Sequence, residues 1–248
     1  MKPNDNDEFL KLDPARIYET AEILSMRISE RFPDSGLASV SLKLLGISSK
    51  AEQTSKDISK NNMYSQAATL ILASVIVLIG IKMLTQFVQI PTHKINFIEF
   101  MQLLESSINV IILAGAGIFF LITLDSRIKR RRALAAIHEL RVISHIIDMH
   151  QLTKDPEMII AHGNETASSP KRRMTVFQLN RYLDYCCEML SLAGNISALY
   201  IQDFDDPVAI SSAYEIESLA TGISRKIWQK IMILHNVKFG PNDEVGLE

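Results

Sequence analysis

In this chain of 248 residues, 26 basic and 28 acidic side chains leave a net charge of −2. Both signs are interspersed, so the broad positive field that marks a nucleic-acid binder is missing and any basic cluster needs a local explanation. Ten Gly, eight Pro and few aromatics, set against abundant Leu, Ile, Ala, Met and Ser, favour helix over sheet, and no strand-like alternation of any length occurs.

The predicted elements begin after an acidic leader, MKPNDNDEFLKL, that lacks the apolar core of a cleavable signal and reads as disordered. Asp13-Pro14 is a helix-start signal, Asp as N-cap and Pro in the first turn, and Ile17, Ala21, Leu24 and Ile28 follow at helical spacing as far as Phe32-Pro33. Ser35 offers a second N-cap, with Leu37, Val40, Leu44 and Leu45 as its apolar stripe. Lys43, Lys50, Lys56 and Lys60 then flank the first of two apolar segments, a cytoplasmic signature.

That first segment, 67–90, is uncharged from Ala67 to Ile81 and is interrupted by Lys82, which either snorkels at the outer interface or faces an aqueous path. The connection 91–105 is poor in bases, and Asn96 with Glu99 resembles a capping box opening the next helix. The second segment, 106–124, has no charge between Glu105 and Asp125, about the ~20 residues that cross the hydrocarbon core as helix. Arg127, Lys129, Arg130, Arg131 and Arg132 follow at once and resist translocation. Both segments therefore read as a hairpin with both termini in the cytoplasm. In its middle Ala114, Gly115, Ala116 and Gly117 permit close helix approach, with Ala73, Ser74 and Gly80 as matching small positions, and Asn109 is read as an interhelical contact rather than a pore lining.

Beyond the bases no Gly or Pro intervenes before Pro156; helix from Asn96 to Leu152 would be about 85 Å long at 1.5 Å per residue. Ala136, Leu140, Ile143 and Ile147 form its apolar stripe, and His138, Arg141, His145 and Asp148 share another face, where Arg141 could meet His145 and His145 could meet Asp148. Asp155-Pro156 opens a short segment, and HGNETASSPKRRM has loop composition. Thr175 with Gln178 is a capping-box start for a long helix, Asp206-Pro207 starts another ending near Asn236, and KFGPNDEVGLE is a turn and a loose tail. The expected fold is all-α: a transmembrane helical hairpin plus a cytosolic antiparallel helical bundle. It divides as 1–66, a cytosolic N-terminal helical segment; the two spans and their connection; and 125–248, the bundle.

Candidate sites follow from these placements. His138, His145 and Asp148 could ligate a metal if Asp184, Glu188 or Glu215 completed the shell, but no spacing is diagnostic, and a polar bundle or subunit interface, or after it a solvated face, accounts for them better. Protonation of His145 beside Asp148 would make such an interface pH-sensitive. Arg181, Asp184, Tyr185 and Glu188 read as an exposed ion-pair face. Trp228 among Arg225, Lys226 and Lys230 could serve lipid or partner contact, but the preferred reading sets Ile227, Trp228, Ile231 and Leu234 in the bundle core with the bases outside. Lys171, Arg172 and Arg173 could touch headgroups or an acidic surface. Adjacent Cys186 and Cys187 point about 100° apart on a helix and suit apolar packing better than a disulfide. There is no Gly-rich phosphate loop, nucleophile elbow or HExxH, so no enzyme, cofactor or resident metal is expected.

The strings ERFPDSGL, HELRVISHIIDMHQLTKDP, RYLDYCCEML and SRKIWQKIMIL, spread over most of the chain, resemble a group of two-span bacterial membrane proteins of unknown activity. The resemblance implies the layout and nothing further. The functional expectation is a non-enzymatic, homo-oligomeric inner-membrane scaffold or sensor, in contact with membrane lipid and with a cytosolic protein partner, and not with nucleic acid. The alternative is a small oligomeric ion channel or transport component in which Lys82, Asn109 and the Ala114–Gly117 patch line or pack around a central path.

Overall fold

The computed structural model describes residues 11–60, 63–89, 97–156 and 174–238. These residues form α1 (Pro14–Arg31), α2 (Gly36–Ser59), α3 (Met63–Gln89), α4 (Phe97–Leu152), α5 (Val176–Ile201) and α6 (Pro207–Lys238), with no strand among them. The chain divides into two compact units. One combines Met1–Ile58 with Arg132–Glu248; the other is Ser59–Arg131. The expected Asn96 cap, the segment opened by Asp155-Pro156, Lys171–Arg173 and the loose tail lie outside the described residues.

In the first unit local chemistry sets the helix ends. Asp13 Oδ1 accepts the Ala15 N–H at 2.9 Å, and Pro14 occupies the first turn where its missing N–H leaves nothing unsatisfied. Pro33 halts α1, Asp34 takes a left-handed φ of 55° that a short polar side chain tolerates, and the chain reverses. Ser35 Oγ then accepts the Ala38 N–H at 3.1 Å and caps α2. Thr175 and Gln178 form the reciprocal capping box of α5. Asp206 Oδ1 accepts from Val208 and Ala209, both at 3.0 Å, to start α6. All four starts match the sequence expectation.

Each helix of this unit buries one stripe. On α1 it is Ile17, Ala21, Leu24 and Ile28; on α2, Leu37, Val40, Leu44, Ala51 and Ile58, interleaved with Ser41, Ser48 and Ser55. Those serines satisfy themselves against backbone carbonyls, Ser55 reaching across to Leu199 O at 3.1 Å, so a small polar residue can sit on a buried seam where helices come close. From α4 come Ala133, Ile137, Leu140, Ile143 and Ile147, and from α6 Ala209, Ala213, Ile216, Ala220, Ile223, Ile227, Ile231 and Leu234. α5 is the central element, covered along nearly its whole length from Leu179 to Tyr200. Phe32 meets Tyr182 edge-on with ring centroids 5.4 Å apart, locking the end of α1 to α5.

Two features differ from the sequence reading. Trp228 is 59% exposed while Ile227, Ile231 and Leu234 are buried; the stripe 220, 223, 227, 231 is already complete at spacings of three and four, and position 228 falls about 100° off it. The N-terminal helices, read as a segment of their own, share a unit with the C-terminal ones, because a single amphipathic helix has to bury its stripe on something.

The second unit has another character. Among its residues whose exposure is described none is buried, and Leu70, Ile71, Val77, Leu78, Ile111, Ile112, Leu113 and Phe119 are all exposed. Its half-buried positions include Leu72, Ala73 and Ile76 on α3 and Ala114, Gly117, Ile118 and Leu121 on α4, and Leu72 faces Gly117 at a seam between the two helices. At Gly117 a Cβ would lie 3.0 Å from Leu72 Cδ2, so glycine here sets a close approach. Hydroxyls in the apolar surface turn back on their own helix: Ser74 to Leu70 O at 2.8 Å and Thr123 to Phe119 O at 2.7 Å. Among the described residues one helix is long and apolar enough to cross a membrane, within Phe100–Leu152, and no residue of its apolar stretch is buried; α3 contributes a shorter apolar stretch, Leu70–Lys82.

Candidate functional site

Within the helical unit a groove of about 690 Å³ lies between α2 and α4, with Tyr200 of α5 also in its lining. It exists because its floor is built from residues too small to fill it. Gly46, Ala135 and Ala136 lie where longer side chains would meet, and a Cβ added at Gly46 would touch nothing within 4 Å. Ile47, Val142, Ile143 and Ile146 make the walls apolar. Lys43 and Lys50, two helical turns apart, line it from α2, and His138 and Glu139 from α4. Volume, apolar walls and a few converging polar groups are the usual attributes of a small-molecule site.

The Tyr200 phenol of this lining is buried and bonded to Thr54. Burial first, and the Glu139 charge second, push its pKa up to about 12, against the Thr54 bond, which lowers it. The phenol therefore stays protonated and can donate.

Of the face His138, Arg141, His145 and Asp148, only His138 lines this groove. Arg141 pairs instead with Glu215 on α6, Asp148 accepts from Gln151 Nε2 at 2.7 Å, and His145 is exposed. The contacts expected within the ladder give way to contacts with other residues. The carboxylates that would have completed a metal shell are engaged as well: Asp184 with Arg181 at 3.2 Å, Glu188 with Arg27 at 3.2 Å, Glu215 with Arg141. Among the described residues no group of three or more His, Cys, Asp or Glu is placed to hold a metal ion.

The basic run is divided. Lys129 is sheltered against Asp125 at 3.2 Å, and Arg132 donates to the Asp57 carbonyl at 3.0 Å in the last turn of α2, where a cation complements the helix dipole. Arg127 and Arg131 are exposed, as are Lys82, Asn109 and Gly115, while Ala114 and Gly117 are half-buried on the α3–α4 seam. Cys186 is a buried free thiol and Cys187 a half-buried one; burial raises both above the ordinary thiol value, which leaves them protonated and unreactive.

Two clusters were missed by sequence reasoning. Lys230 Nζ donates to Gln151 O and Oε1, both at 2.8 Å, and Gln151 relays to Asp148. Desolvation lowers the Lys230 pKa, opposed by Asp155, Asp148 and Cys186. The available signal was Gln151 itself, a polar residue on the buried stripe of α4. In the second cluster Arg27, Arg31 and Arg181 surround a 370 Å³ cleft, with Arg27 and Arg181 over the Tyr185 ring at 5.3 and 5.4 Å and Arg31 over Phe177 at 5.3 Å. Arg181 and Tyr185 were legible as one helix face; the α1 arginines that join them were not, because that needs the packing of α1 on α5.

Comparison of the chain with protein-family models, curated proteins and solved structures finds no match.

Proposed function

We propose that this chain is a non-enzymatic, homo-oligomeric protein of the bacterial inner membrane, crossing it twice as the α3–α4 pair with both termini in the cytoplasm, and that its helical unit is a scaffold or sensor. The resemblance to two-span bacterial membrane proteins agrees with this layout. The observation that carries the reading is the composition of α4. Its apolar stretch has no buried residue, a dense set of bases follows directly, and the same helix continues into the stripe Ala133–Ile147 that the helical unit buries. Apolar surface of that length left open in water would drive association, whereas lipid accepts it at no cost. A body without enzyme motifs, carrying an apolar groove with a charged rim, suits recognition better than chemistry.

Reporter fusions after residues 60 and 135 should both report a cytoplasmic location, and the protein should remain with membranes through alkaline extraction. An external signal from either fusion, or release into the soluble fraction, rules the reading out.

A second reading, a small oligomeric channel, draws on Lys82 and Asn109, polar groups exposed within otherwise apolar helices. It requires the purified oligomer to conduct in a planar bilayer and the conductance to change in Lys82→Ala or Asn109→Ala. A silent bilayer leaves the scaffold or sensor.

A further inference from the structure

We propose that the α2–α4 groove binds a long-chain fatty acid, its alkyl chain along the small-residue floor and its carboxylate beside Lys43 and Lys50. This goes beyond the membrane-protein reading and does not depend on it, since the groove lies wholly within the helical unit.

Size and polarity select the kind of ligand. A volume of 690 Å³ lies in the range of about 300–1,000 Å³ typical of small-molecule sites. Gly46, Ala135 and Ala136 leave room in the lining, and Ile47, Val142, Ile143 and Ile146 give it the apolar surface that an alkyl chain needs.

Charge selects the head. Lys43 and Lys50 contribute two positive charges to the lining and Glu139 one negative. These formal charges leave one net positive, which complements a monoanion. Glu139 disfavours a phosphate dianion, and nothing in the lining rewards an uncharged alcohol over a carboxylate. Tyr200, which remains a hydrogen-bond donor, belongs to the same lining.

The test uses the full chain in phosphatidylcholine nanodiscs with two photoactivatable probes of equal chain length, a diazirine-bearing palmitic acid and the corresponding hexadecanol, followed by peptide mapping. The acid should label peptides spanning 43–54 and 135–146 more strongly than the alcohol by about fivefold, the size of one partly exposed charge pair. Gly46→Trp, which grows into open space, should abolish labelling of those peptides while labelling of 70–82 and 100–121 persists. Lys43→Gln with Lys50→Gln should bring the acid down to the level of the alcohol. Ala135→Phe provides a second blocking variant, to be used if Gly46→Trp loses its helical circular dichroism.

Equal labelling by acid and alcohol, labelling that survives the blocking variant, or labelling confined to 70–121 each overturns the proposal. Failure of the membrane reading shows separately, as absence of alcohol labelling on 70–82 and 100–121. In that case the groove is tested with the same probes and the same variants in solution, with the same criteria.

Discussion

Gly36 and His150 show how finely single residues are fitted here. A Cβ at Gly36 would lie 2.2 Å from His150 Cε1, so α2 begins against the imidazole at the end of α4 with no room for a methyl group. Gly36→Ala should lower the stability of the helical unit by about 1 kcal/mol, because the clash is with a side chain that can turn aside at modest cost. His150→Ala should remove most of that penalty, and a double-mutant cycle on thermal melts measures the coupling.

The buried titratable groups make a prediction of opposite signs. Tyr200 ionises near pH 10.0 when unfolded and at about 12 when folded. The folded state then holds its proton where the unfolded state has lost it, so its stabilising contribution is complete below pH 10 and is lost between the two values. Tyr182, Cys186 and Cys187 are raised as well and act in the same direction, Cys186 and Cys187 from about pH 9 upward. Lys230, lowered by desolvation, works the other way, stability rising as the pH climbs through its folded value toward 10.5. Four groups against one give a melting temperature that falls on the alkaline side. Tyr200→Phe should flatten the portion of that fall above pH 10, which circular dichroism melts across the range will detect; an unchanged slope would show that Tyr200 is not held as described.

At the level of helices the sequence was a good guide wherever a local rule decides. The caps Asp13, Ser35, Thr175 and Asp206 act within three residues of themselves, and the stripes of α1, α2 and α4 follow from spacing alone. Partnership between helices was not legible. The face of His138, Arg141, His145 and Asp148 looked like one surface because its members share a helix side, yet Arg141 answers Glu215, Asp148 answers Gln151 and His138 lines a groove whose other wall is α2. The groove itself was invisible because it results from what three small residues on two helices leave unfilled.

The α3–α4 seam yields a prediction at this scale. With Cys186 and Cys187 replaced by Ala, Leu72→Cys together with Gly117→Cys should be joined by a short thiol-bridging reagent within one chain, since the two positions touch across the seam. A bridge formed only between copies, seen as a doubled mass on a reducing-agent-free gel, would mean that α3 and α4 do not pair as described.

On the scale of the whole molecule, the helical unit is assembled from both ends of the sequence, with Ser59–Arg131 interposed. α1 sits on α5 through Ile28, Phe32 and the Tyr182 and Tyr185 rings, and Arg27 reaches Glu188. Deleting residues 1–35 should therefore strip cover from the central helix and leave α5 and α6 sensitive to protease, where the full chain resists. A protected fragment covering 174–238 in the deletion variant would show that those two helices need no N-terminal partner. The sequence did reveal the all-helical class and the apolar stretch within α4; the pairing of the two ends was hidden because their stripes, taken separately, do not say which other stripe they meet.

That interposition has a consequence for how the protein is made. Ribosomes add about 5–20 residues per second, so the 73 residues from Ser59 to Arg131 separate completion of α2 from the first residue of its remaining partners by about 4–15 s. For that interval, and until α5 emerges, the greasy sides of the two nascent helices have only each other as native cover, where Ser25 of α1 meets Ser41 of α2.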